Sequence, residues 1–253
     1  MSDPGQGPAR VSFRVPAAGL DVAGLSHVGL VRRRNEDRLL AQPLPDGALL
    51  AVADGMGGEQ CGHLAAETAV AALASGGPEG AGEVWLLAGL DRAQSALRAM
   101  VQANPGMEGM GATLTAVLIR GREAVWAHVG DSRLHLARGG ELHAVTRDHT
   151  FLRELVEEGE ISAEAARIHP LRQLLDQCLG CPDIRPDSGV LRLLPGDMLV
   201  LTSDGLHGEV AEEAMRGLLR AGIPLEERLR DLLRAALDAG GRDNATVLAA
   251  VVD

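Results

Sequence analysis

The spacing of apolar and polar residues changes several times along this chain, and each change marks the border of a predicted element. Near the N-terminus the apolar residues form short runs bounded by Gly, Pro and Asp, which is typical of strands over residues 20–30, 38–41 and 48–53. Residues 62–73 and 83–103 instead place Ala and Leu at helical spacing. A pair of helices is therefore expected to follow the first strands.

The middle and the C-terminal part of the chain repeat this alternation. Four strand-like runs are predicted over residues 112–119, 124–129, 133–137 and 141–145. A Glu-rich helical pattern over 150–168 precedes an irregular, Pro-containing stretch over 169–189. A further strand comes next. Two helices are predicted after it over residues 209–221 and 225–239, and a last strand over residues 245–252. Meandering strands with paired helices predict an α+β fold in which antiparallel sheets pack together with helices outside.

Composition narrows the class of protein. The chain has 253 residues, 46% of them hydrophobic and only 2% aromatic, so it can bury a sizeable and mainly aliphatic core. Its net charge of -11 argues against a nucleic-acid-binding surface, because such affinity comes largely from Lys and Arg. Since the chain contains neither an apolar stretch of about 18 residues nor the start of a secretory signal, we expect a cytoplasmic protein without a membrane span.

Residues 1–18 are rich in Gly, Pro and Ala and are expected to form a loose tail. Residues 19–253 are then expected to form a single domain. Three cysteines do not suggest a disulfide framework. Cys178 and Cys181 are expected to be ordinary thiols because a second Cys pair for a zinc site is missing, and reversible oxidation of the pair is the alternative.

Carboxylates stand at the edges of short apolar runs at five distant points of the chain: Asp37, Asp54, Asp131, Asp204 and Asp243. Two of these contexts nearly repeat each other, since an apolar run leads into Asp-Gly at both Asp54 and Asp204. A buried strand that ends in Asp-Gly places a carboxylate at the rim of a sheet, beside a backbone that can turn sharply. Several such rims brought together would form an oxygen-rich pocket suited to Mg²⁺ or Mn²⁺.

Five motifs carry a resemblance to a known family: Arg-x-x-Asn-Glu-Asp ending at Asp37, Asp-Gly-Met-Gly-Gly from Asp54, Gly-Asp-Ser-Arg around Asp131, Ser-Asp-Gly-Leu around Asp204, and Asp-Asn-Ala-Thr-Val from Asp243. Their order and spacing resemble the metal-dependent serine/threonine protein phosphatases of the PPM (PP2C-type) family, over roughly residues 20–252. Any single Asp-Gly is usually a turn, whereas five motifs in family order are specific. Met56 stands where many eukaryotic members have His. In having Met at this position, the chain resembles the bacterial branch of the family.

The resemblance implies a four-layer α-β-β-α sandwich, in which two central antiparallel sheets are flanked by helix pairs and hold metal ions at one end. It implies that Asp54 bridges two ions and that Gly55 ligates one of them through its carbonyl oxygen. Asp204 and Asp243 would complete the shell of the first ion, and Glu36 would reach the second, directly or through water.

Three further roles follow from the same resemblance. Asp37 would hold metal-bound waters, Asp131 would share a third ion with Asp204, and Arg32 would bind the substrate phosphate. Plainer interpretations remain open for two of them, because Gly-Asp-Ser-Arg can form a tight bend and a run of three arginines can be a solvated strand edge. The donor of the leaving-group proton is left unassigned, with His63 and His149 as the nearest histidines in sequence.

The predicted function is a bacterial-type protein phosphatase that hydrolyses phosphoserine and phosphothreonine by direct attack of a hydroxide held between two Mn²⁺ or Mg²⁺ ions. We expect a monomer that acts on phosphorylated proteins, opposes a serine/threonine kinase and takes its specificity from a flap at about residues 150–190. One alternative is a non-catalytic, phosphoprotein-binding member of the same fold, and another is a small-molecule phosphatase. The retained aspartates disfavour the first alternative.

Overall fold

The computed structural model describes residues 9–57, 61–75, 82–171, 174–220 and 222–253. Within these ranges the strands are β1 (Ala9–Val15), β2 (Leu20–His27), β3 (Arg38–Leu44), β4 (Gly47–Ala53), β5 (Gly55–Met56), β6 (Gly111–Ala112), β7 (Leu114–Arg120), β8 (Glu123–Val129), β9 (Arg133–Arg138), β10 (Glu141–Ala144), β11 (Asp187–Arg192), β12 (Met198–Thr202) and β13 (Ala245–Val252). The helices are α1 (Gly62–Ala74), α2 (Gly82–Ala103), α3 (Phe151–Glu157), α4 (Ala163–Ile168), α5 (Asp204–His207), α6 (Glu212–Leu218) and α7 (Leu225–Asp238).

The strands form two large antiparallel sheets and one small one. The six-stranded sheet has the order β1-β2-β13-β12-β9-β10, and the five-stranded sheet has the order β11-β8-β7-β4-β3. Strands β5 and β6 form a separate two-stranded ladder. Since every pairing is antiparallel, the end of each strand lies beside the start of its neighbour.

Three apolar clusters separate the layers, and β4 shows why its sequence is an unbroken apolar run. Leu50 and Val52 point into the cluster between the two sheets, whereas Leu49 and Ala51 point into the cluster shared with α1 and α2. Side chains alternate between the faces of a strand, so a strand covered on both faces must be apolar throughout. A third cluster joins the six-stranded sheet to α5, α6 and α7. The α-β-β-α sandwich is thus confirmed.

Helix α7 shows how the outer layers attach. Its buried residues Leu229, Leu232, Leu233 and Ala236 recur at the spacing of one helical face, while charged residues occupy the other. Among the described residues, no helix combines the length and the apolar composition needed to cross a bilayer.

The predicted loose tail over residues 1–18 is wrong for the part that the structure describes. Residues 9–15 form β1, which pairs with β2 at the edge of the six-stranded sheet. Val11, Phe13 and Val15 alternate along β1 and pack against the cluster between the sheets. The Gly- and Pro-rich composition of the N-terminal region concealed this alternation. Residues 1–8 of the predicted tail lie outside the described residues.

Candidate metal centre

Antiparallel pairing gathers the predicted carboxylates at one end of the sandwich. Asp54 directly follows β4 of the five-stranded sheet, and Asp204 directly follows β12 of the six-stranded sheet. Asp37 precedes β3, whose first residue is paired with the last residue of β4. Asp243 precedes β13, which is the neighbour of β12, and Asp131 lies in the turn from β8 to β9. All five positions therefore lie at the same end of the two sheets.

A cavity of about 1360 Å³ opens at this end of the molecule. Its walls include seven of the residues predicted from sequence: Arg32, Glu36, Asp54, Gly55, Asp131, Asp204 and Asp243. Asp37, the eighth, lies buried beneath them, with 2% of its surface exposed. The fold thus brings all of the predicted site residues to one place, although their individual roles stay predictions.

The buried Asp37 is held by two hydroxyl groups that sequence reasoning missed. Ser203 Oγ and Thr246 Oγ1 donate to Asp37 Oδ2 at 2.7 and 2.6 Å. Asp37 Oδ1 is buried and has no hydrogen-bond partner among the described residues. Their positions in the sequence could have pointed to them, because Ser203 directly precedes Asp204 and Thr246 lies within the motif that begins at Asp243.

Crowding and burial make these carboxylates hard to ionise. Burial and, to a smaller extent, the charges of Asp204 and Asp243 raise the pKa of Asp37 to about 7, although hydrogen bonds from Thr246 and Ser203 lower it. Burial, then the negative charges of Asp204 and Asp148, raise the pKa of Asp131 to about 8. Several carboxylates that oppose one another's ionisation in one pocket would be stabilised by a bound cation.

Asp54 and Asp204 line the same cavity and affect each other's ionisation. Burial and the charges of Asp37, Asp204 and Asp131 raise the pKa of Asp54 well above its usual value. Burial and the charge of Asp243 likewise raise the pKa of Asp204. Two carboxyl groups that oppose each other's ionisation favour a proton or a cation between them.

Two glycines allow Glu36 and the Gly55 carbonyl to meet. A Cβ atom at Gly62, the first residue of α1, would lie 2.8 Å from Glu36 Oε2 and 2.7 Å from the Gly55 oxygen. A Cβ atom at Gly55 would lie 1.9 Å from the Gly62 oxygen. The Glu36 carboxylate and the Gly55 carbonyl therefore converge on a point that only glycine at position 62 leaves open.

The donor set fits a hard divalent cation, since it consists of carboxylate and carbonyl oxygens. In the part of the chain that the structure describes, no three Asp, Glu, His or Cys side chains form a closed coordination sphere as they stand. The carboxylates instead line a shared cavity, and the buried Asp37 Oδ1 without a partner there adds a further oxygen acceptor.

Arg32 supplies positive charge at the mouth of this acidic cavity. Its Nη2 atom lies 2.7 Å from Asp243 Oδ2, and about half of its side chain is exposed. Asn244 holds the chain segment that carries Arg32, because its Oδ1 atom accepts from the Glu36 N–H and its Nδ2 atom donates to the carbonyl oxygens of Val28 and Arg34. Sequence reasoning assigned no role to Asn244, although it directly follows Asp243.

The histidines considered as proton donors lie beside the cavity rather than in its described wall. His63 contacts Arg34, with 3.1 Å between Nδ1 and Nη1, and burial, then Arg34, lower the pKa of His63. His149 is buried, where its Nδ1 atom accepts from the Gly130 N–H and its Nε2 atom contacts Asp187. Met56, which stands where many eukaryotic members have His, lines the cavity.

The expectation that Cys178 and Cys181 are ordinary thiols is wrong, because the two residues are joined by a disulfide. Gly180 adopts a φ of 99°, which turns the chain so that the two Cα atoms lie 5.4 Å apart, within the range that a disulfide requires. Both residues belong to the wall of the metal cavity.

Comparison with known proteins identifies the family of the chain. The chain matches the family model of protein phosphatase 2C over residues 24–251. Serine/threonine protein phosphatase PstP of Mycobacterium tuberculosis is 42% identical over 241 residues, which cover 92% of this chain and 45% of PstP. Protein phosphatase PhpP of Streptococcus pneumoniae is 35% identical over 236 residues, which cover 90% of this chain and 96% of PhpP.

A crystal structure of the catalytic domain of PstP in complex with two manganese ions superposes with a TM-score of 0.82 at 40% identity, covering 92% of this chain and 99% of that domain. In contrast to this coverage of the catalytic domain, the chain spans about half the length of the full PstP protein. With a family match over most of its length and close relatives in bacteria, the chain belongs to the protein phosphatase 2C family of serine/threonine phosphatases.

Proposed function

We propose that this chain hydrolyses phosphoserine and phosphothreonine in proteins with the help of two Mn²⁺ or Mg²⁺ ions, and that it reverses the action of a bacterial serine/threonine kinase. The observation that carries this proposal is the meeting of Asp54 and Asp204, which come from different sheets, in one acidic cavity. Membership of the protein phosphatase 2C family and the two manganese ions in the PstP structure support it.

The proposed ligands divide between two positions. Asp54 would hold both ions, Gly55 would contribute its carbonyl oxygen, and Asp204, Asp243 and Glu36 would supply the remaining protein ligands. When bound, the ions supply Lewis acidity that lowers the pKa of coordinated water and offsets the charge of the phosphoryl group. Asp131 contacts the same cavity and would share a third ion with Asp204.

Arg32 would orient the substrate. A guanidinium group donates two parallel hydrogen bonds to phosphoryl oxygens, which fixes the orientation of the phosphate and offsets its charge. In the structure the same donors face Asp243. Asp243 would exchange this ion pair for a cation, which would leave the Arg32 guanidinium available to the phosphate, so metal and phosphate binding should reinforce each other.

Asp37 would act through water rather than on the phosphate itself, because it lies beneath the cavity. Its Oδ2 atom is already engaged by Ser203 and Thr246, which leaves Oδ1 to accept a hydrogen bond from a water molecule in the site. We propose that this contact orients the attacking water for an in-line approach to phosphorus.

Specificity for the phosphoprotein would come from the segment over about 150–190. Helix α3 within this segment contributes Leu152 and Val156 to a second cavity of about 730 Å³. This cavity shares Arg32 and Asp204 with the metal cavity, so it adjoins the site of reaction. Residues that flank the phosphorylated side chain would bind there.

The test is hydrolysis of a phosphothreonine peptide by wild type and Asp204→Asn, each with Mn²⁺ and with a chelator. We expect Mn²⁺-dependent turnover in wild type and a loss of at least about a hundredfold in the variant. Asp46→Asn is the matched control, because Asp46 precedes β4 at the strand end opposite Asp54 and its side chain is 66% exposed. Full activity in chelator, or an unimpaired Asp204→Asn, would refute the proposal. Hydrolysis of small phosphoesters together with no hydrolysis of the peptide would favour a small-molecule phosphatase.

A further inference from the structure

The Cys178–Cys181 disulfide encloses only Leu179 and Gly180. Closing so short a loop removes little freedom from the unfolded chain, so the bond adds less to stability than one that closes a long loop. The fold also has three apolar clusters that hold its layers together. The disulfide is therefore not needed as a main support of the fold. Its location beside the cavity instead indicates a role there.

The loop is attached on one side to the metal cavity. Leu179 exchanges two backbone hydrogen bonds with Ala112, at 2.8 and 3.0 Å. Ala112 in β6 is paired in turn with Gly55 in β5, whose carbonyl oxygen is a proposed metal ligand. A single residue of β6 thus separates the disulfide loop from the proposed ligand.

On its other side the loop is attached to helix α2 through one side chain. Gln94 Oε1 accepts from the Gly180 N–H at 2.6 Å, and Gln94 Nε2 donates to the Cys181 carbonyl oxygen at 2.6 Å. Gln94 is itself buried. The disulfide holds Gly180 and Cys181 in the turn that these two bonds require.

The two sulfur atoms differ in access. Cys178 is only 6% exposed, and its Sγ atom lies 3.2 Å from the position of a Cβ atom on Gly111. Cys181 is partly exposed and lies in the cavity wall. An external thiol therefore has access to Cys181 Sγ first. The remaining cysteine, Cys61, is free and buried.

We propose that Cys178 and Cys181 form a reversible oxidation site that sets the shape of the metal cavity wall, an inference that rests on the proposed function of that cavity. A dithiol reductant attacks Cys181 Sγ through one thiolate, breaks the S–S bond and forms a mixed disulfide, while Cys178 leaves as a thiolate and takes up a proton. The second thiol of the reductant then attacks its own sulfur in the mixed disulfide, which releases Cys181 and leaves the reductant oxidised. Two electrons and two protons have passed to the protein.

Reduction separates two sulfur atoms that were bonded. Because Cys178 is packed against Gly111, the movement falls on Cys181 and on the turn that Gln94 holds. The oxidised form should therefore be the form with the ordered wall and the tighter substrate site. The reduced form should bind a phosphoprotein segment less well, while the carboxylates that meet on the far side of β6 keep their arrangement.

The experiment equilibrates the protein in mixtures of reduced and oxidised dithiothreitol. Alkylation after denaturation, followed by mass spectrometry, should count one thiol in the oxidised form and three in the reduced form. Hydrogen exchange at Gly180 and Leu179 should be faster in the reduced form. The KM for a phosphothreonine peptide should rise about threefold or more on reduction, with kcat for a small phosphoester changing less than about twofold.

Cys181→Ser should match reduced wild type in every mixture, whereas Cys61→Ala should keep the full response. If Cys181→Ser does not fold, the two forms of wild type still make the comparison. Three thiols under all conditions, or equal exchange and equal KM in both forms, would overturn the proposal. The thiol count and the exchange rates do not depend on turnover, so an inactive protein that still shows both changes would contradict the proposed function and not this site.

Discussion

Asp54 and Asp204 meet in one cavity, although each follows a strand of a different sheet. Two half-buried carboxyl groups that face one cavity oppose each other's ionisation, which favours a proton or a cation between them. The cavity that surrounds them is also lined by Glu36, Gly55 and Asp243, which are the other proposed ligands. The sandwich thus concentrates at one end a charge that would be unfavourable without a bound cation.

The metal-free protein should lose stability as the pH rises from 6.5 to 8.5. Burial raises the pKa of Asp37 to about 7 and that of Asp131 to about 8, whereas both are ionised in the unfolded chain. The folded state therefore holds more protons than the unfolded chain, and each such proton lowers the free energy of unfolding by about 1.4 kcal/mol per pH unit until the pH passes its folded-state pKa. Thermal unfolding in chelator should show a Tm that falls from pH 6.5, above the ordinary pKa of histidine, and levels off above about pH 8 as both carboxyl groups become ionised.

Added Mn²⁺ should raise the Tm most at the upper end of the same range, because ionised carboxylates bind the cation without first releasing protons. A Tm that is flat or rising with pH in chelator would contradict the assigned protonation of Asp37 and Asp131.

Arg32→Ala should lower kcat/KM for a phosphothreonine peptide by about tenfold to a hundredfold, the range expected for a lost charged hydrogen bond. Mn²⁺ affinity should be unchanged or higher, because Asp243 loses the guanidinium that competes with the cation. Steady-state kinetics and Mn²⁺ titration calorimetry measure the two effects. Arg32→Lys separates charge from geometry and should recover only part of the loss. A variant that loses its Mn²⁺ would disprove the substrate role.

Ser203→Ala removes one of the two hydroxyl donors to Asp37 Oδ2. The ionised form of Asp37 loses a partner, so its pKa should rise, and the acid limb of the kcat profile should move to higher pH. The free energy of unfolding should fall by about 1–3 kcal/mol, since the site is buried. Thr246→Ser keeps the other donor's hydroxyl and should change neither quantity much. An unshifted pH profile in Ser203→Ala would show that the ionisation of Asp37 does not control kcat.

Gly62→Ala should weaken Mn²⁺ binding by about tenfold or more and destabilise the fold by about 1–3 kcal/mol, because overpacking displaces Glu36 or the Gly55 carbonyl. Gly217→Ala is the control, since an added Cβ atom there meets nothing and helix α6 gains a better helix former. Calorimetric Mn²⁺ titration and urea unfolding check both variants. Normal Mn²⁺ affinity in Gly62→Ala would exclude Glu36 and the Gly55 carbonyl as ligands.

The sequence by itself determined the layered α+β class, most element borders and the group of site residues. The unbroken apolar run of β4 and the leucine spacing of α7 depend only on which faces are buried, and such patterns can be seen in one dimension. The five aspartate motifs are also local, so the resemblance to the phosphatase family required no coordinates.

Only the tertiary structure decided how distant segments meet. Strand β1 gains its hydrogen bonds from β2 and its burial from the opposite sheet, and neither is visible in a Gly- and Pro-rich terminus. The hydroxyls around Asp37, the clamp by Asn244 and the joining of Cys178 to Cys181 likewise depend on antiparallel registers and on the turn at Gly180. Contacts between residues far apart in the chain arise from packing geometry, which local patterns do not encode.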